Sequence, residues 1–373
     1  MSIAVYLLYK GYATSRLLFE LFTNSAIDGT MQKWVPEDVS QFAIRVRELS
    51  KGGKVSPKIA AFLLHYPLWE HKALSYKKYL HRQGIDICGY DEVTYPQEFS
   101  MTGDPPFVLF CTGNKELLKT KYKLAMVGTR QPSEYGEEKS KQFAFEAAYC
   151  KITTVSGNAV GVDSIIHHYS QKNGGYTVAF LPRLDTDLKP NTSILYVSEF
   201  PPSTSQLEKW MFIARNRLVA AFSKATVVIE APIKSGTLTT VDLAVSYGRN
   251  VYFVLPDITC ESALGGMLYA IANPFNSFVQ SLYDVLFWEE QSELIGRYIS
   301  MISSLSGGQL IIPEKEYRHL ALVNLLPILW RVANKDLHKF ETLVVKLQRT
   351  GIIVKRKNKA VFNFSGYNSW QKT

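Results

Sequence analysis

Three glycine-bearing loops, each set between a run that reads as a buried β-strand and one that reads as a helix, occupy the middle of this 373-residue chain. They are Gly128-Thr129-Arg130 through Ser133, Tyr135 and Gly136; Ser156-Gly157 through Gly161; and Ser235-Gly236-Thr237. Loops of this kind aim backbone N–H groups outward at a positive helix end, where phosphate oxygens can approach without Cβ atoms in the way. Repeated along one sheet, they predict a row of anion sites. A row suits a polymer of phosphates better than one small molecule.

The flanking strands are expected near Leu124 to Val127, Ile152 to Val155, Tyr176 to Leu181, Ile194 to Val197, Ala225 to Ala231 and Val251 to Leu255. Their nearly continuous apolar character suits strands covered on both faces, hence a mainly parallel, Rossmann-like α/β sheet over residues 91–290. In such sheets ligands bind outside the carboxyl ends of the strands, where all three loops fall.

Ahead of it, Ser15 to Phe22, Val39 to Leu49, Pro57 to Leu63 and Tyr76 to His81 show helical periods. They read as a small helical domain over residues 1–90, SAM/helix-hairpin-helix-like. Behind it, a poorly patterned stretch up to Gly307-Gly308 reads as a linker. A helical run from Asp336 to Thr350 and a hairpin around Lys357-Asn358-Lys359 then predict a winged-helix-like domain over residues 308–373.

Hydrophobic residues are 46% and charged residues 20%, a globular balance, and the formal charge is +9. Nine basic and two acidic residues from Lys335 onward hold a net +7 of that +9. That tail is either a solvated surface or a nucleic-acid face, and a weak duplex DNA contact through it is one expectation. Four cysteines, Cys88, Cys111, Cys150 and Cys260, lack any CxxC pair and read as thiols of a reducing compartment. The apolar N-terminal patch is interrupted by Lys10, Gly11 and Arg16 and has no basic lead, which argues against a membrane span or a secretory signal. A cytoplasmic, soluble protein is expected.

In the first loop, Arg130 offers a five-donor fork suited to phosphate and Ser133 a hydroxyl; the alternative is a turn whose arginine pairs with a carboxylate. In the second, Asp163 reads as a group that holds the loop or caps its helix. Between the second and third, Phe212 to Leu218 sets Arg215 and Arg217 around Asn216 on a helix. The arginines are phosphate clamps or an interface ion pair, and Phe212 is a base-stacking face or core packing. His167-His168 is no metal pair, since adjacent positions diverge on a helix and no ligand lies at i+4. No Walker lysine, HExxH or GxSxG motif occurs. Neither a cofactor nor a catalytic residue is expected.

Taken in order, Tyr95-Pro96, Asp104-Pro105-Pro106, the loop Val127 to Gly136, Ser156 to Asp163, Ser198-Glu199-Phe200-Pro201-Pro202, Phe212 to Arg217, Glu230 to Thr239 and Gly248-Arg249 resemble the DNA-processing protein A (DprA/Smf) family. The resemblance runs from about Tyr95 to Asp284. It implies a dimeric, non-catalytic protein that binds and protects incoming single-stranded DNA and loads the RecA recombinase on it in natural transformation. Carried over by position, Arg130, Phe212, Arg215, Asn216 and Arg217 would contact the strand, with Gly157, Gly161 and Ser235-Gly236-Thr237 shaping the pocket. The chain departs from the family pattern at Ile213, Pro256-Asp257 and Gly265-Gly266. The rival reading is a nucleotide-phosphate ribohydrolase-type enzyme, whose glycine loop carries a glutamate that Ser235 to Thr240 lacks.

Overall fold

The computed structural model describes residues 2–9, 14–25, 31–33, 39–90, 92–100, 102–185, 188, 191–202, 206–255, 263–272, 277–291, 293–294, 297–298, 353–356 and 359–362. It opens with helices α1 (Ser2–Tyr9) and α2 (Ser15–Phe22), a short antiparallel pair of strands β1 (Thr23–Ser25) and β2 (Met31–Lys33), then α3 (Val39–Lys51), α4 (Pro57–Leu64) and α5 (Tyr66–Arg82). Local chemistry sets these starts. Ser56 caps α4 by accepting the Ile59 N–H at 3.4 Å, and Pro57 follows at a position where the missing N–H costs nothing.

The main sheet is built from β3 (Asp86–Gly89), β4 (Val108–Gly113), β5 (Lys123–Val127), β6 (Thr153–Ser156), β7 (Thr177–Phe180), β8 (Ile194–Ser198), β9 (Ala225–Val228), β10 (Asn250–Val254) and β11 (Ser277–Val279). Between them lie α6 (Gln97–Ser100), α7 (Glu134–Tyr149), α8 (Val162–Lys172), α9 (Lys209–Phe222), α10 (Gly236–Ser246) and α11 (Leu264–Ala272), with α12 (Leu282–Trp288) following β11. The strand order is β11-β10-β9-β5-β6-β7-β8-β4-β3, parallel from β11 to β8, with β4 and β3 antiparallel at one edge. The expected mainly parallel sheet is present, and the helices that join parallel strands cover both of its faces. Phe143, Ala147, Ile166 and Val285 pack α7, α8 and α12 on one side; Leu218, Phe222, Val241 and Ala244 pack α9 and α10 on the other.

The helical segment is not separate from the sheet. Leu18, Phe19, Leu63 and Leu80 share one core with Ile87, Val108 and Phe110 of β3 and β4. Residues 86–89 thus belong to the sheet edge rather than to the N-terminal helices. At the far end, β12 (Ile353–Arg356) and β13 (Lys359–Phe362) pair antiparallel, the ladder expected around Lys357-Asn358-Lys359. The helix expected from Asp336 to Thr350 lies outside the described residues, as does Cys260. Cys88, Cys111 and Cys150 are free and buried. Among the described residues no helix is long and apolar enough to cross a membrane.

Candidate nucleic-acid interface

The chain winds outward from β5 in both directions, through β6, β7 and β8 on one side and β9, β10 and β11 on the other. The strand order therefore reverses beside β5, which opens a crevice at its carboxyl end. The three glycine loops follow β5, β6 and β9, so all three rise from this one edge of the sheet.

The first two loops interlock. The Val162 N–H donates to the Thr129 carbonyl at 3.1 Å, and Gly161 has φ +90°. A Cβ there would stand 2.5 Å from the Thr129 oxygen and 2.6 Å from the Arg130 oxygen. Only glycine fits without strain. Asp163, on the first turn of α8, accepts the Gly157 and Ala159 N–H groups at 3.2 and 3.3 Å, the loop-holding role its position suggested. Ser156 turns inward and donates its hydroxyl to the Met126 carbonyl at 2.7 Å.

Arg215 of α9 lies under this loop, 6% exposed, with its Nη1 in the volume that a Cβ on Gly157 would fill. Among the described residues its one carboxylate partner is Asp163, 3.9 Å away. The Arg215 Nε, the Asp163 Oδ1 and the His167 Nε2 are all buried without a hydrogen-bond partner among the described residues. Burial lowers the Arg215 pKa, Asp163 raises it, and Arg130 lowers it again. Burial likewise raises that of Asp163 against the pull of Arg215. Arg130 itself is exposed and makes no hydrogen bond or ion pair among the described residues. Arg130 is near enough to Arg215 to lower its pKa, so two guanidinium groups stand together at this loop while Asp163, at the N-terminus of α8, faces one of them. The imbalance favours an anion.

The start of α7 is already occupied. Ser133 caps it by accepting the Gly136 N–H at 3.0 Å, and the Glu230 carboxylate, 2% exposed, takes the Ser133 N–H at 2.9 Å and the Ser133 hydroxyl. The backbone carbonyl of Glu230 accepts from the Thr129 N–H at 2.8 Å, and Gly136 leaves room for its carboxylate. Ser133, Thr129 and Gly136, expected to offer donors to a phosphate, therefore spend them inside the protein. Tyr135 likewise donates its hydroxyl to the Leu255 carbonyl at 2.8 Å.

Arg217 is also engaged. Its guanidinium pairs with Glu199, which is 5% exposed, donates to the Asp104 carbonyl at 2.7 Å and stands 3.3 Å from the Asp104 carboxylate. Burial lifts the Glu199 pKa to about 7 against the lowering effect of Arg217. Phe212 and Asn216 are half-buried on the same helix. At α10, Gly236 is exposed, Thr237 is buried, and the Ser235 hydroxyl is buried with no partner among the described residues.

Sequence reasoning counted Glu230 in a family motif but gave it no role, although an acid closing an apolar strand was a signal. It also gave His167 no role. The His167 ring is 3% exposed with its Nδ1 2.6 Å from the Thr177 hydroxyl, and burial, with Arg215 nearby, lowers its pKa to about 3.

A family model described as DNA recombination-mediator protein A matches residues 86–286, from the first strand of the main sheet into α12. The chain belongs to this family. Among relatives of this recombination-mediator family, the DNA processing protein DprA of Bacillus subtilis is 30% identical over 235 residues, 60% of this chain and 76% of that protein. The DNA processing protein DprA of Streptococcus pneumoniae is 32% identical over 194 residues, 49% of this chain and 66% of that protein. The X-ray structure of DNA processing protein A from Streptococcus pneumoniae matches with a TM-score of 0.51 and 25% identity, covering 65% of this chain and 90% of that one. The matched span contains the whole glycine-loop edge and none of the basic tail.

Proposed function

We propose that this recombination-mediator family member binds single-stranded DNA across the carboxyl edge of its sheet, protects it, and hands it to the RecA recombinase during DNA uptake. The observation that carries the reading is the exposed Arg130, unpaired among the described residues, near the buried Arg215, whose charge Asp163 meets only at 3.9 Å. A flexible strand can bring a phosphate to that rim. A rigid nucleotide pocket would need the α7 terminus, which Glu230 fills.

In this reading Arg130 meets a phosphate with the buried Arg215 charge behind it and the α8 turn at Gly157 and Gly161 beside it, Phe212 and Asn216 meet a base, and Ser235-Gly236-Thr237 borders the path. Arg217 and Ser133 act from beneath, by fixing α9 and α7. Binding without bond cleavage is the proposed activity, with a cytoplasmic homodimer as the working unit. The ribohydrolase alternative gains nothing from Glu230, because its carboxylate is committed to Ser133.

The test is fluorescence anisotropy with a single-stranded oligonucleotide and a duplex of equal length at several salt concentrations. Single-strand preference is expected, and Arg130→Ala should weaken binding and flatten the log–log salt slope by roughly 0.7. An unchanged slope in that variant, or equal affinity for both polymers, would sink the proposal. The basic tail is assigned an auxiliary duplex contact. Replacing Lys355, Arg356, Lys357 and Lys359 by Gln should lower duplex affinity and spare the single strand. Handover is tested by whether the protein speeds RecA-dependent strand pairing on DNA already coated with a single-strand-binding protein.

A further inference from the structure

The start of α9 presents a second face, distinct from the one that carries Arg215. Leu207, just ahead of the helix, and Trp210 and Ile213 within it are 42%, 56% and 54% exposed. Trp210 and Ile213, three apart, share one side of the helix. The Trp210 ring meets Phe200 edge-on, with centroids 5.3 Å apart and planes at 87°. An indole braced in this way stays open to solvent on a fixed support.

Its surroundings narrow the choice of occupant. Glu208 and Lys209, both exposed, precede the indole with opposite charges, so this short stretch carries no net charge of its own. Trp210 and Arg215 are five positions apart, a rise of about 7.5 Å along the helix axis, and project from different sides of it. An exposed π-face on the same helix as Arg215 suits a base of a strand that passes along this edge, whatever its sequence.

We propose that Trp210, braced by Phe200, stacks a nucleobase of the same strand whose phosphate is held near Arg130 and Arg215. The inference rests on the single-strand reading above. It adds to Phe212 a second platform, on the side of α9 that faces Glu199 and Phe200.

The test uses the full-length chain, oligo(dT), and an abasic oligonucleotide of the same length, which keeps phosphates but has no bases to stack. Trp210→Ala should lower oligo(dT) affinity about tenfold, leave abasic affinity and the salt slope unchanged, and be largely restored by Trp210→Phe. Arg130→Ala, measured in parallel, should weaken both oligonucleotides. Equal loss on both oligonucleotides in Trp210→Ala, no loss on either, or a change in oligomeric state by light scattering would overturn the stacking role. A silent Trp210→Ala alongside an effective Arg130→Ala removes this inference alone. If both are silent, the single-strand reading falls with it.

Discussion

The guanidinium of Arg215 lies against Gly157, in the space that any larger residue at that position would claim. The glycine of the second loop is therefore there to admit a protein cation. Arg215 in turn fixes how α9 meets the turn between β6 and α8, and it carries a positive charge to the sheet edge. One contact joins the packing of the loop to its electrostatics.

Gly157→Ala should displace Arg215 at a stability cost of about 1–3 kcal/mol, typical of overpacking. The displaced cation should also lower single-strand affinity. Thermal denaturation and anisotropy on one preparation check both, and a variant as stable and as tight as the parent would disprove the contact.

Asp163→Asn keeps an oxygen for the Gly157 and Ala159 N–H groups but removes the charge facing Arg215. Truncating one partner of a buried pair typically costs about 3–5 kcal/mol, and the wide 3.9 Å spacing places this pair at the lower end. The excess of positive charge left at the loop should tighten DNA binding severalfold. Urea melts and salt titrations separate these opposite effects; a loss of affinity would mean that Asp163 positions the strand instead of balancing Arg215.

His167 ties stability to pH. Its folded pKa of about 3 lies below the ordinary 6.5 because burial and nearby Arg215 disfavour the charged ring. Below pH 6.5 the unfolded chain takes a proton that the folded chain refuses, so stability is lost as pH falls towards 3, by up to about 1.4 kcal/mol per pH unit. Buried Glu146, Glu199 and Asp284, with pKa values raised by burial, act in the opposite sense, which makes the difference between the parent and His167→Gln the informative quantity. That difference should shift steadily against the parent across the window. A flat difference would show that the ring is protonated in the fold.

Arg217→Ala should strand the Glu199 carboxylate in the core and destabilise the protein by about 3 kcal/mol, while the salt slope of DNA binding stays unchanged. Arg217→Lys should recover only part of this, since one ammonium cannot reproduce the fork between Glu199 and Asp104. Denaturant melts and salt titrations of both variants decide it. A flattened slope would return Arg217 to the set of phosphate contacts.

Much of this is legible in the sequence. The six inner strands announced themselves because residues such as Leu124, Val155, Val178 and Val227 are apolar on both sides of the pleat. The edge strands Asp86–Gly89 and Ser277–Val279 did not, being short and mixed in character. The loops and Arg130 could be found from spacing, because glycine next to a strand end is a local signal. What each arginine touches is not local. Ser133 and Glu230 are 97 residues apart in the chain, Arg217 and Asp104 are 113 apart, and only the winding of the sheet brings them together. Ion pairing and phosphate clamping ask for the same side chains, so sequence left Arg215 and Arg217 with both options.

Glu230 gives the molecule a character of its own. By supplying an internal negative group to the helix end where a doubly wound sheet would otherwise seat a small phosphorylated metabolite, the protein fills that anion position from within. On the proposed reading, the exposed Arg130 rim is left to a long ligand, which could be passed onward without first being pulled out of a hole.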